Sequence, residues 1–151
     1  MTFKKKLVIV GLVSGSATIA LAQAAGIQPG QWEMISTTKS VEMPNAPPQV
    51  ARMMEGRSST LRRCITSEQA AANGLREMVK ANKSCTLSHF TMSGGKYDAE
   101  MTCSQSGGTM MASTTGTYTP TTMSSTSRIM IKGPTPMTMT NSVVGKRVGA
   151  C

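Results

Sequence analysis

The sequence predicts a mainly β domain of the α+β class: an antiparallel meander, forming a curved sheet or partly closed barrel, with one principal helix and two disulfides. Three observations predict it. Short runs rich in Thr, Val, Ile and Met recur at intervals of roughly 8–15 residues between Gly- and Pro-containing turns, as antiparallel strands do. One run, residues 67–80, instead carries apolar residues at the 3–4 spacing of a helix face. Four cysteines, an even number, follow an export-type leader, the usual setting for disulfides.

The leader comes first in the chain. Lys4, Lys5 and Lys6 precede an apolar stretch that begins at Leu7, and Ala20-Leu21-Ala22 supplies a small-x-small cleavage pattern. The stretch is interrupted by Ser14, Gly15, Ser16 and Thr18 and falls short of the roughly 20 residues a membrane-spanning helix needs. Residues 1–22 are therefore expected to be a signal peptide, and residues 23–151 a single disulfide-braced β-rich domain, periplasmic or secreted, with no transmembrane span.

Gln31 to Thr38 is the expected opening strand, after the Pro29-Gly30 turn, with Trp32 and Met34 on one face. Pro44, Pro47 and Pro48 break the chain, and a short helix is expected over residues 49–56. Thr66 and Gln69 have the spacing of a capping box, Thr66 as N-cap and Gln69 at N3, so a helix is expected over residues 67–80. Ala71, Ala72, Leu75, Met78 and Val79 give it an apolar stripe, and Gly74 weakens it by about 1 kcal/mol.

Residues 85–103 read as a hairpin turning at Ser93-Gly94-Gly95. Folded about Gly94, the segment sets Cys85 opposite Cys103, Leu87 opposite Met101 and Thr91 opposite Tyr97. Alternation puts Tyr97, Ala99, Met101 and Cys103 on one face and Asp98, Glu100 and Thr102 on the other. Directly opposed residues lie within bridging distance, which pairs Cys85 with Cys103 and leaves Cys64 to pair with Cys151. Further strands are expected over residues 109–118, 122–132 and 137–144, between turns at Ser106-Gly107-Gly108, Thr119-Pro120-Thr121 and Gly133-Pro134-Thr135-Pro136.

Composition excludes several function classes. Charged residues are 15% and aromatics 3% of the 151 residues, too few charges for a coiled coil and too few rings for a sugar or single-stranded nucleic-acid groove. Of the 16 Lys and Arg, three lie in the leader. The 13 that remain, against seven acidic residues, leave a charge of +6. For an exported chain that charge points away from nucleic acid and toward an anionic envelope component or a periplasmic protein as partner.

Pro29-Gly30-Gln31-Trp32-Glu33, Cys64-Ile65-Thr66 before a helix, Cys85, Cys103-Ser104 closing a hairpin and the terminal Gly145-Lys146-Arg147-Val148-Gly149-Ala150-Cys151 together resemble the domain of unknown function 3617 family of exported bacterial proteins. The resemblance runs over essentially the whole mature chain. It implies a single envelope domain with paired cysteines, and it transfers no catalytic or ligand-binding residue.

Catalytic chemistry finds little support in the residues. The chain has one His and one Asp, and in the hairpin register above His89 and Asp98 point to opposite faces, so no Ser-His-Asp triad is expected. The six glutamates show no pairing of the glycosidase kind, and no phosphate loop or C-x-x-C spacing occurs. No cofactor is implied. Methionine is abundant at 14 residues. Met137 and Met139 would share one strand face about 6.8 Å apart, a soft-ligand pair suited to Cu(I), whereas scattered methionines serve as core filler. Finally, the Cys64–Cys151 bridge draws Arg62 and Arg63 toward Lys146 and Arg147, a candidate contact for an anion or lipid phosphate. The expected function is a non-enzymatic binding module for a small ligand, envelope component or partner protein. A Met-based Cu(I) binder is the alternative, and a small hydrolase the third. An apolar cavity would favour ligand binding, and converging Met sulfurs would favour copper.

Overall fold

The computed structural model describes residues 26–71, 76 and 83–151; the expected leader lies outside them. Strand β1 is Gly30–Glu42, α1 is Pro48–Met54, β2 is Ser58–Ile65 and α2 is Ser67–Ala71. There follow β3 at Cys85–Ser93, β4 at Lys96–Gln105, β5 at Gly108–Tyr118, β6 at Thr122–Lys132 and β7 at Met137–Gly149. The strands form one sheet in the order β2-β1-β7-β6-β5-β4-β3, with every neighbouring pair antiparallel. Strands β3 to β7 are thus a meander, and the N-terminal β1 joins it against the C-terminal strand.

Several expectations hold. Strand β6 has its expected bounds, and β5 begins one residue earlier. Strands β1 and β7 run past the expected ends at Thr38 and Val144. The capping box forms: the Thr66 backbone N–H donates to Gln69 Oε1 at 2.9 Å, and the Gln69 N–H donates to Thr66 Oγ1 at 3.2 Å. The expected helix is described over α2 and, beyond it, lies outside the described residues apart from Arg76. Both disulfides join the expected partners, Cys64–Cys151 and Cys85–Cys103. No helix among the described residues is long and apolar enough to cross a membrane.

Of the two forms expected, the sheet takes the curved, open one, with β2 and β3 as its two edges. Two points differ. Residues 58–65, with no apolar alternation, nevertheless form strand β2, whose side chains are exposed except at Ile65. In the β3–β4 hairpin the expected register holds only at the cysteine end. Cys85 lies opposite Cys103 and Leu87 opposite Met101, but past Ser88 the pairing shifts, so that Thr91 faces Asp98 and Met92 faces Tyr97. The reason is geometric. Gly94 and Gly95, at φ 58° and 75°, form a two-residue turn that pairs Ser93 with Lys96, one residue out of step with the cysteine pair. A bulge at Ser88 reconciles the two ends and turns Phe90 and Met92 toward the core in place of Thr91.

The core gathers Ile27, Trp32, Ile65, Tyr97, Tyr118 and Met123, with Met34, Ala70, Phe90 and Met92 packed against them. Trp32 is fully buried, and its indole N–H donates to the Gln28 carbonyl at 2.9 Å. In a flat sheet β1 and β4 would stand about 19 Å apart, four strand spacings. Trp32 on β1 and Tyr97 on β4 nonetheless share one core, so the sheet is curled into a trough. Cluster members Ile27, Ile65 and Ala70 gather with Trp32 at one end of it.

Candidate functional site

Strand alternation sorts the inward side chains into rows across the trough. Met34, Gly145, Met123 and Tyr118 form the row nearest the core. Val143, Ser125, Gly116, Tyr97 and Met92 form the next, then Asn141, Ser127, Thr114, Ala99 and Phe90. Beyond them lie Met139, Ile129, Ala112, Met101 and Leu87, and finally Met137, Ile131, Met110 and the Cys85–Cys103 bridge. Half of the 14 methionines therefore face this one surface. Met is unbranched and soft, so a surface built from it repacks readily.

Within the trough lies a cavity of about 260 Å³, bounded by Met34, Phe90, Tyr97, Ala99, Met101, Ala112, Thr114, Met123, Ser125 and Val143. Six strands contribute to it. Two glycines make its shape possible. A Cβ at Gly116 would come within 2.6 Å of Cε1 and Cζ of Tyr97, and one at Gly145 within 2.9 Å of the Met123 sulfur. The Tyr97 ring and the Met123 side chain thus lie flat on backbone and leave the centre of the trough open.

The cavity wall carries no charged residue. Its polar groups are paired among themselves: Thr114 Oγ1 lies 2.7 Å from Ser127 Oγ, and the Tyr97 hydroxyl is hydrogen-bonded with Ser125. Burial pushes the Tyr97 hydroxyl pKa above its ordinary value, partly offset by Ser125. Beside this belt Asn141 is unusual. Its Nδ2 donates weakly to Met139 Sδ at 3.9 Å, and its Oδ1 is buried with no hydrogen-bond partner among the described residues.

The four expected cations are brought onto β2 and β7, the two strands that flank β1, but not onto one face. Arg62, Glu33 and Lys146 form one row across β2, β1 and β7, while Arg63, Trp32 and Arg147 form the next, facing the other side. Glu33, which sequence reasoning left out, sits between two of the cations: Arg62 Nη2 lies 2.7 Å from its Oε2 and Lys146 Nζ 3.4 Å from its Oε1. The hydrogen bond from Arg62, then that from Lys146, holds the Glu33 carboxyl below the usual glutamate range. Arg147 donates from Nε to the Pro29 carbonyl at 2.7 Å, and with Cys64, Cys151 and Ser67 it borders a shallow hollow beside the disulfide. Arg63 is exposed.

Met137 and Met139 do share a face, the concave one, beyond the cavity. No group of three or more His, Cys, Asp or Glu able to hold a metal ion occurs among the described residues.

The bulge at Ser88 corrects the placing of the histidine. His89 and Asp98 do not diverge: His89 Nε2 lies 2.7 Å from Asp98 Oδ1, and Thr91 Oγ1 donates to Asp98 Oδ2 at 2.6 Å. The Thr91 hydroxyl first, and His89 after it, hold the Asp98 carboxyl below its ordinary value. In a triad the imidazole stands between nucleophile and acid. Here the carboxylate stands in the middle, and both His89 and Asp98 are about half exposed, so the order of the three groups is not that of a triad.

Comparison with curated proteins and with solved structures gives no match. The family profile described as protein of unknown function, DUF3617, matches residues 27–151, which includes every strand of the sheet, both helices and all four cysteines. The chain belongs to the DUF3617 family.

Proposed function

We propose that this protein is an exported, non-enzymatic binding module that holds a small apolar ligand in the concave face of its sheet. The observation that carries the reading is the cavity of about 260 Å³, whose wall is apolar except for three residues that bond within the protein. Ligand sites are concave and mostly apolar, with few polar groups to fix orientation. Here the polar groups are occupied by one another, which favours an apolar guest. Export is supported by the leader-like residues 1–22 and by the two disulfides, which persist in oxidising compartments.

The test is native mass spectrometry of protein expressed through its own leader and purified gently from the periplasm. The expected species is the chain without residues 1–22, oxidised at four cysteines, with a fraction carrying an additional organic mass. A bare oxidised chain that also fails to take up the apolar fluorophore N-phenyl-1-naphthylamine would rule the reading out.

A further inference from the structure

We infer that the ligand held in the trough is a single unbranched acyl chain, lying along the strands with its methyl end toward Met123 and its polar head outside. The inference rests on the apolar-ligand reading above and adds the shape of the guest. Three observations carry it.

The first is the proportion of the cavity. Its wall runs from Met34 and Met123 at one end to Ala112 and Met101 at the other. Ala112 pairs with Ile129, six residues along β6 from Met123, so the cavity follows the strands for about 20 Å. A space of about 260 Å³ whose lining extends over that length is elongated rather than compact, and suits a chain laid along the strands better than a globular hydrocarbon.

The second is polarity. The hydroxyls of Thr114 and Ser127 bond each other, and that of Ser125 bonds Tyr97. A guest carboxylate, ester or phosphate carried into the slot would lose water there and meet hydroxyls already engaged, the one unpaired buried side-chain atom beside it being Asn141 Oδ1, an acceptor like the guest's own oxygens. The segment inside is therefore hydrocarbon, and any carboxylate, ester or phosphate stays in solvent.

The third is the direction of closure. Beyond Met123 and Met34 the slot meets Trp32, Ile65, Ile27 and Ala70, the tightest part of the core. Beyond Ala112 and Met101 it meets a half-exposed apolar surface of Ile129, Ile131, Met137 and Met139. Among the described residues the second side is the more open one, so a chain enters from there, tail first, and the unbranched methionines can follow its bends.

The experiment is a displacement titration on the oxidised protein, with a dansyl-labelled fatty acid as reporter and saturated fatty acids of increasing length as competitors. Adamantane carboxylate, compact and equally charged, is the control. Affinity is expected to rise about fourfold per added methylene while the chain still fits, and then to level off. Ala112→Leu, which narrows the slot, is expected to move the break to shorter chains; Ala99→Leu serves the same purpose should Ala112→Leu fail to fold. If adamantane carboxylate competes as well as the long chains, the acyl-chain inference falls while apolar binding stands. A rise with length that shows no break and ignores both substitutions means simple adsorption and overturns the inference. If no competitor and no reporter binds, both readings fall together.

Discussion

The phenol ring of Tyr97 on β4 lies flat against the backbone of Gly116 on β5, so close that a Cβ at 116 would stand 2.6 Å from its Cε1 and Cζ. Neither residue is free to change alone. Gly116→Ala is expected to lower the unfolding free energy by about 1–3 kcal/mol, the usual cost of overpacking. Tyr97→Leu in the same chain should recover part of that loss. Urea titration of the two single variants and the double variant measures the coupling. Additive losses would mean that ring and backbone do not compete for the space.

Asn141→Leu should raise stability. The buried Oδ1 has no donor among the described residues, and an apolar side chain of similar size removes that penalty, about 1 kcal/mol or more. A fall in the urea midpoint would show that the amide has a partner in solution, such as a bound water.

Acid stability should depend on Glu33. Its folded-state pKa lies below its unfolded value of about 4.3, so the stabilisation is fully present above that pH. It is lost as the pH falls through the lowered folded value. Glu33→Gln should therefore flatten the acid limb of a stability–pH profile below about pH 5. Asp98→Asn should also flatten the acid limb, because the Asp98 carboxyl is lowered too. Profiles that keep the wild-type slope would show that neither carboxylate gains on folding.

The disulfides should contribute unequally. They close segments of 87 and 18 residues, and chain-entropy reasoning assigns about 4.6 kcal/mol to Cys64–Cys151 and about 3 kcal/mol to Cys85–Cys103. Paired Cys→Ser variants, compared by equilibrium unfolding, test the order. A larger loss at Cys85–Cys103 would point to structure retained in the unfolded chain.

Glu33 also bears on anion contact. It neutralises Arg62 and Lys146, so Glu33→Gln should strengthen retention on vesicles containing phosphatidylglycerol. Charge reversal at Arg62, Arg63, Lys146 and Arg147 should abolish it. Retention indifferent to both changes would remove these residues from any anion site.

Much of the fold was legible because turns and cysteines act locally. The Gly94-Gly95 turn and the Cys85–Cys103 pair lie within one hairpin, and each was readable alone. Their one-residue mismatch, and hence the bulge at Ser88 that joins His89 to Asp98, was not, because each signal pointed to its own register. Strand β2 escaped notice for a different reason. At the sheet's edge its side chains meet solvent, so Ser58 to Cys64 carry no apolar alternation, and without β2 the place of Glu33 between Arg62 and Lys146 could not be seen. The cavity is a tertiary product: Met34 and Phe90 lie on strands at opposite sides of the sheet, and only its curl brings them to one wall. The abundance of methionine was plain in the sequence, but the gathering of half of them on one face was not.

Both sulfur bridges end on the outermost strands of the open sheet, Cys64 on β2 and Cys85 on β3. Such strands present unpaired peptide groups that invite another chain to add on. Each bridge clamps a margin to something further in: β2 to the C-terminal residue beyond β7, and β3 to β4. In a reducing compartment both clamps would open together, and the loss of stability would come with edges freer to pair with another chain. The covalent framework thus acts as a guard against polymerisation, one that becomes effective only where thiols are oxidised.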